Sequence, residues 1–271
     1  MVALPSNGPG RAPRALAILP ARLDSTRLPR KMLLRETGRY LFEYAVENAR
    51  AAELFERVVL ATDADEIRDA AEALGIEARL TSPAHPSGTD RVCEAFEALA
   101  REGLVVDVVV NLQGDEPELP ATTMSELLAA FRDPAVELAT LVHRLEVAEV
   151  ANDPAVVKVV CDASGDALYF SRAPIPHLRD AGTAPERRAP LFRHVGVYAF
   201  RPDALRAFCA LGPSPLERTE ALEQLRWLEA GRRIRCIEVP PHPPGIDTRE
   251  QYQAFRDRLA TRPTTESKAT S

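Results

Sequence analysis

The sequence predicts an α/β fold with a mostly parallel central sheet and a hairpin excursion in its second half. Three observations carry that prediction. Strand-like apolar runs and helix-like segments alternate through the first half with short connections. The chain has 271 residues, 45% of them hydrophobic, which suffices for a sizeable core. In the second half a strand, glycine turn and strand break the alternation.

Taken in order, Ala15–Leu19 is an apolar run that reads as a buried strand, and Arg57–Ala61 is a second. Asp63 can cap the next helix and Glu66 can close its capping box; that helix runs to Leu74 and stops at Gly75. A strand at Ile76–Leu80, a helix from Arg91 to Arg101, a strand at Val105–Asn111, a helix at Thr122–Phe131 and a strand at Leu138–His143 complete a βαβα series. Val156–Val160 and Ala167–Ser171 flank the turn Asp162–Asp166 and read as a hairpin. Phe192–Phe200 is a further strand, Pro202–Ala210 and Leu216–Glu229 are helices, and Ile234–Val239 returns as a strand. Asp247 and Glu250 form a second capping box at the start of the last helix. We read one domain over residues 14–260, with residues 155–200 as a hairpin region that serves as a lid or subunit contact. The tails 1–13 and 261–271 and the proline- and arginine-rich stretch Pro174–Pro190 are expected to be flexible.

The net charge of −6 argues against general nucleic-acid affinity. Four cysteines (Cys93, Cys161, Cys209 and Cys236) stand singly in apolar surroundings, as reduced core thiols of a cytoplasmic protein do. No apolar run approaches the roughly 18 residues of a membrane span. The Pro- and Gly-rich opening does not read as a signal peptide.

Chemistry concentrates in Pro20–Lys31, directly after the first strand. Arg22, Arg27 and Lys31 supply spaced positive charge and Ser25 and Thr26 supply hydroxyls, the requirements of a triphosphate. The loop matches neither common glycine-rich phosphate motif. Asn111-Leu-Gln-Gly-Asp-Glu-Pro117 follows another strand, so Gln113, Asp115 and Glu116 are expected beside the basic loop. A carboxylate next to a triphosphate requires a bridging cation, and Mg²⁺ is the natural one; Asp115 is equally at home as a turn residue. Asp247 has the same ambiguity between metal ligand and helix cap. Ser82–Arg91 ends a strand and opens a helix, so Ser87, Gly88 and Thr89 can hold an anion or simply cap. The five histidines show no metal-ligand spacing, and no Gly-x-Ser-x-Gly elbow is present. Arg172, His194 and Tyr198 lie at strand ends and suit a carboxylate-bearing, hydroxyl-rich ligand.

The segments PARLDSTRLPRK, ATDADEI, TSPAHPSGTDR, VNLQGDEPELP, VVKVV, ALYFSRAPIP, RHVGVYAF, SPLERTEALEQLR and GIDT occur in this order from residue 20 to 248. Together they closely resemble the 3-deoxy-manno-octulosonate cytidylyltransferases, the CMP-Kdo synthetases. The resemblance implies a Rossmann-like nucleotidyltransferase fold, Mg²⁺ dependence and a homodimer. It also implies CMP transfer from CTP to Kdo for lipopolysaccharide biosynthesis, with pyrophosphate released. By position, it implies that Arg22, Ser25, Thr26, Arg27 and Lys31 bind the CTP phosphates and that Ser87, Gly88 and Thr89 help hold the nucleotide. Asp115 and Asp247 would hold Mg²⁺. Gln113, Arg172, His194, Tyr198, Glu220 and Gln224 would face the sugar acid, with Arg172 near its carboxylate and Arg91 a further candidate. One departure stands out: Arg30-Lys31-Met32 replaces the common Gly-Lys-Pro, keeping the lysine but not the glycine.

Three rivals stand beside that reading. A related acid (8-amino-Kdo or a nonulosonic acid) would need only a different sugar pocket. A nucleotide-sugar-dependent glycosyltransferase would show an Asp-x-Asp metal motif; Asp63-Ala-Asp65 has that form, but its capping-box context explains it. A non-catalytic nucleotide binder is opposed by the retained Lys31, Asp115 and Asp247.

Overall fold

The structure, a computed structural model, describes residues 12–145, 152–177, 179 and 190–261. Residues 1–11 and 262–271 of the expected tails, and most of the Pro174–Pro190 stretch, lie outside the described residues.

Among the described residues nine strands form one sheet: β1 (Ala15–Ala21), β2 (Arg57–Thr62), β3 (Ala78–Leu80), β4 (Val108–Asn111), β5 (Leu138–Arg144), β6 (Lys158–Cys161), β7 (Ala167–Ser171), β8 (Phe192–Phe200) and β9 (Arg235–Glu238). The order along the main path is β3-β2-β1-β4-β8-β5-β9, and the hairpin β6–β7 joins it through β6 and β8. β1 to β4 are mutually parallel, as are β5 and β9, while β8 runs antiparallel to both β4 and β5. The strand β1 shows why the sheet is covered on both sides. Ala15, Ala17 and Leu19 face one apolar cluster and Leu16 and Ile18 the other, since successive side chains alternate. The helices α1 (Leu41–Ala51), α2 (Asp65–Glu72) and α4 (Ala121–Ala129) supply the first cluster; α3 (Gly88–Arg101), α5 (Pro202–Leu211) and α7 (Leu225–Glu229) supply the second. A third, small cluster joins Leu28 of the basic loop to Tyr252 and Phe255 of α8 (Arg249–Thr261). The thiols fall into two neighbouring pairs at the edges of the second cluster, Cys93 with Cys209 and Cys161 with Cys236. All four are free.

Four local expectations are corrected. The helix α2 starts at Asp65 after Ala64, so Asp63 does not cap it. Its carboxylate instead accepts the Leu23 N–H at 3.1 Å and the Arg91 guanidinium at 2.7 Å, a charge-assisted pairing stronger than a local cap. The helix α3 begins a turn earlier than Arg91, capped by Ser87, whose Oγ accepts the Asp90 N–H at 3.2 Å. The expected helix Leu216–Glu229 is two short ones, α6 (Pro215–Glu220) and α7, separated by Ala221 in the left-handed region at φ 51°. Arg172 draws out the carbonyls at this break, with Nε donating to Glu220 O at 2.8 Å and Nη2 to Ala221 O at 3.3 Å. At α8 the cap is Thr248, whose Oγ1 accepts the Gln251 N–H at 3.3 Å while Gln251 Oε1 accepts from Asp247 N and Thr248 N. Asp247 is thereby freed for other partners.

Candidate active site

The loops after β1, β2, β3 and β4 all leave the carboxyl edge of the parallel strands, and two adjoining cavities open there. The first, about 300 Å³, is lined by Arg22, Ser25, Thr26, Arg27 and Lys31 of the basic loop and by Ser87, Gly88 and Arg91 at the start of α3. The second, about 590 Å³, is lined by Arg172, Arg193, His194, Tyr198, Glu223 and the loop before α8. Arg27, Gln113, Asp115 and Asp247 line both, so they form the junction between the two cavities.

The basic loop is pinned from below. Leu23 is tied to Asp63, and Leu28 is buried against α8, which stabilises the loop by about 1.5–3 kcal/mol. Arg30 adopts φ 55° and ψ 31°, the left-handed conformation that glycine enters without steric cost, and its side chain pairs with Glu66 of α2. That conformation would suit the glycine that the resemblance leads one to expect at this position. Lys31 follows in a 3₁₀ turn and is buried. Its ammonium donates to Asp115 Oδ2 and, at 2.9 Å, to Asp247 Oδ1. Burial alone would depress the Lys31 pKa, but the two carboxylates outweigh it and hold the pKa above the ordinary lysine value. Asp247 also accepts from Arg27 at 2.8 Å.

Two carboxylates that converge on one ammonium can hold a cation between them. Among the described residues no group of three or more acidic, histidine or cysteine side chains stands as a metal cage. That donor set fits Mg²⁺, which takes one or two carboxylates and completes its shell with phosphate oxygens and water. Behind them, burial pushes the Glu116 carboxyl up to about 8, with Asp115 adding to the shift, so it is largely protonated at neutral pH. Gly245 packs directly on it: a Cβ there would stand 2.9 Å from Glu116 Oε1.

The second cavity is organised by a chain of hydrogen bonds. Gln113 Nε2 donates to Asn111 Oδ1 at 3.1 Å, Asn111 Nδ2 to Thr89 Oγ1 at 3.1 Å, and Thr89 Oγ1 to Glu223 at 2.6 Å. Burial pushes the Glu223 pKa up against the hydrogen bonds from Thr89 and Ser87. His194 shares a 2.9 Å hydrogen bond with Thr140, and its ring lies 5.4 Å from that of Tyr198. Burial, reinforced by Arg193, lowers the His194 pKa to about 3, so the ring is neutral. Burial raises the Tyr198 hydroxyl well above its usual range.

Most of the expected site residues meet here, with four exceptions. Arg91 lies on the first cavity, not the sugar side, with its guanidinium on Asp63 and Thr81. Thr89 is fully buried and serves Glu223. Glu220 turns away to accept from Ser171 Oγ at 2.6 Å and Arg172 N at 3.0 Å. Gln224 is buried and lines neither cavity, and its amide nitrogen has no partner among the described residues. Sequence reasoning missed Glu223, Arg193, His143 and His242, all of which line the second cavity. Glu223 and Arg193 adjoin residues that were singled out, whereas His143 and His242 carried no local signal.

A family model described as cytidylyltransferase matches residues 16–234. The 3-deoxy-manno-octulosonate cytidylyltransferase of Nitratidesulfovibrio vulgaris is 47% identical over 250 residues, covering 92% of this chain and 97% of the relative. That of Chlorobaculum parvum is 46% identical over 252 residues, covering 90% and 98%. Among solved structures, CMP:2-keto-3-deoxy-manno-octonic acid synthetase complexed with CTP superposes with a TM-score of 0.83 at 39% identity, over 91% of this chain and 98% of that one. With this sheet order, a basic loop after β1 and acidic residues at the junction, the chain belongs to the cytidylyltransferase family, in the branch of the 3-deoxy-manno-octulosonate cytidylyltransferases.

Proposed function

We propose that the protein transfers CMP from CTP to the anomeric hydroxyl of 3-deoxy-D-manno-octulosonate, giving CMP-Kdo for lipopolysaccharide biosynthesis and releasing pyrophosphate. The observation that carries this reading is the junction: a basic, hydroxyl-rich cavity and a histidine- and tyrosine-lined cavity share Arg27, Gln113, Asp115 and Asp247. A triphosphate in the first and a sugar acid in the second bring the α-phosphorus and a hydroxyl together at that shared wall.

In the reaction the anomeric hydroxyl gives up its proton to water as its oxygen forms a bond to the α-phosphorus, while the bond from that phosphorus to the β-phosphate oxygen breaks and pyrophosphate leaves. Arg22, Arg27 and Lys31 neutralise charge on the departing pyrophosphate, and Ser25, Thr26, Ser87 and Gly88 orient the triphosphate. Asp115 and Asp247 would hold Mg²⁺, which would supply charge neutralisation and polarisation at the α-phosphate. Gln113, Arg172, His194, Tyr198 and Glu223 shape the sugar-acid side, and the neutral His194 presents no repelling or attracting charge to the ring hydroxyls. We further propose a homodimer through the hairpin, where Leu168 is 62% exposed; the mass in solution tests it. Among the described residues no helix is long and apolar enough to cross a membrane.

Pyrophosphate release with CTP, Mg²⁺ and a panel of sugar acids tests the assignment. Kdo should support faster turnover than 8-amino-Kdo or N-acetylneuraminate. Turnover with N-acetylneuraminate alone would refute the sugar while leaving the chemistry, and no release with any acid would refute both.

A further inference from the structure

We propose that Arg193, flanked by His143 and His242, recognises the carboxylate and neighbouring hydroxyls of the sugar acid, so that selectivity for an acid resides on β8 and not in the arginine that follows β7. The proposal rests on the reading of the protein as a sugar-acid cytidylyltransferase.

Arg172, the arginine that the sequence favours for this task, already engages each of its three guanidinium nitrogens with a backbone carbonyl. Besides Glu220 O and Ala221 O, its Nη1 donates to Pro154 O at 2.9 Å, so the guanidinium braces the α6–α7 break against the segment before β6. Arg193 differs. It lines the same cavity from β8, and its guanidinium makes no hydrogen bond or ion pair among the described residues. Its positive charge helps keep the nearby rings of His143, His194 and His242 neutral. An unpaired guanidinium in a concave, half-buried site is a ready bidentate donor for a carboxylate.

The two histidines supply the complementary acceptors. His143, on β5, is paired in register with Arg193, and its ring lies 6.2 Å from that of His242. Each directs Nδ1 at a backbone carbonyl, Arg144 O at 3.2 Å and Pro243 O at 2.9 Å. A carbonyl only accepts, so Nδ1 carries the proton in both rings and Nε2 offers a lone pair. Burial keeps both rings below the ordinary histidine pKa, hence neutral. The Nε2 of His242 is buried without a partner, an arrangement that costs free energy until a donor arrives. One free guanidinium beside neutral acceptors matches a ligand that bears a carboxylate and several hydroxyls. It does not match a phosphate, which brings acceptors only. The cavity also reaches Asp115 and Asp247. In a 2-ulosonic acid the carboxylate and the anomeric hydroxyl share one carbon, so anchoring the first delivers the second to the junction.

The test compares Kdo with its C1-carboxamide on wild-type protein, Arg193→Met and Arg172→Met, reading pyrophosphate release. Wild-type kcat/KM should favour the acid by about 10²-fold or more, since a site built for a polar group rejects the analogue lacking it. Arg193→Met should lose about 10²-fold on the acid and little on the amide, with the KM for CTP nearly unchanged. Arg172→Met should keep the acid preference. If Arg193→Met falters in folding, as a thermal melt would show, Arg193→Gln carries the same expectation. A wild-type acid-to-amide ratio retained by an active Arg193 variant overturns the proposal, as does loss of that ratio in Arg172→Met alone. Absence of turnover by the wild type with every acid would instead overturn the function on which the proposal rests.

Discussion

Asp63→Asn separates two roles for one carboxylate. Asn caps a helix as well as Asp does, so a capping residue would tolerate the change. In the structure, however, Asp63 pairs at 2.7 Å with Arg91, whose side chain is only 5% exposed, while Asp63 keeps 17%. Breaking a fully buried pair by removing one charge costs about 3–5 kcal/mol. Because water still reaches Asp63, about 2–3 kcal/mol is the appropriate range here. For a chain of this size each kcal/mol moves the melting temperature by about 2–4 °C, so the variant should melt roughly 5–10 °C lower. The same carboxylate holds Leu23 at the root of the basic loop, so the KM for CTP should rise several-fold. Thermal melts of Asp63→Asn, Arg91→Met and the double variant supply the check. The double variant should be less destabilised than the sum of the singles, because each single already breaks the same pair. A melting temperature within about 2 °C of wild type would refute the reasoning.

Three further outcomes are expected. Asp115→Asn and Asp247→Asn should each lower turnover by at least about 10²-fold, comparable to losing one electrostatic contact to the transition state; an Asp247 variant that melts lower but turns over normally would return that residue to a capping role. Gly245→Ala should reduce turnover at a stability cost of about 1–3 kcal/mol, since the added methyl must displace Glu116; an unaltered melt and rate would show that the carboxyl moves freely. The His194 pKa of about 3 lies below the unfolded value near 6.5, so the unfolded chain binds the proton first and stability falls as pH drops through that window. Between pH 7 and 5 this one ring should account for about 2 kcal/mol, and chemical denaturation of His194→Gln should show a pH dependence shallower by that amount.

How far the fold was legible follows from where each cause lies. The strand β8 is visible to the residue as Phe192–Phe200, because it is rich in aromatic and β-branched residues that suit a buried strand. The break at Ala221 is invisible locally, since Arg172 that opens it stands far away in sequence. In an unbroken helix Glu220 and Glu223 would share a face. The left-handed residue between them sends one to Ser171 and the other into the cavity, so the glutamate that the resemblance placed on the sugar lies off the cavity wall. Asp63 and Asp247 both carried true local capping patterns, and both were claimed by distant cations. The phosphate side could be read because its cations lie within one loop. The sugar side draws on β5, β8, the α6–α7 segment and the loop before α8, and no short window of sequence contains that assembly.

Lys31, held between Asp115 and Asp247, also bears on how binding responds to ionic strength. The protein carries an internal counter-ion between two carboxylates. On the proposed function, a triphosphate that recruits this ammonium takes part in an exchange, in which the lysine trades carboxylate oxygens for phosphate oxygens. Arg27 makes the same trade through Asp247, whereas Arg22 has no ion-pair partner among the described residues. Few small ions are released when such pairs are swapped, so the affinity for nucleotide falls more gently with added salt than a loop of three bare cations would dictate. On that reading the steepness that remains belongs chiefly to Arg22.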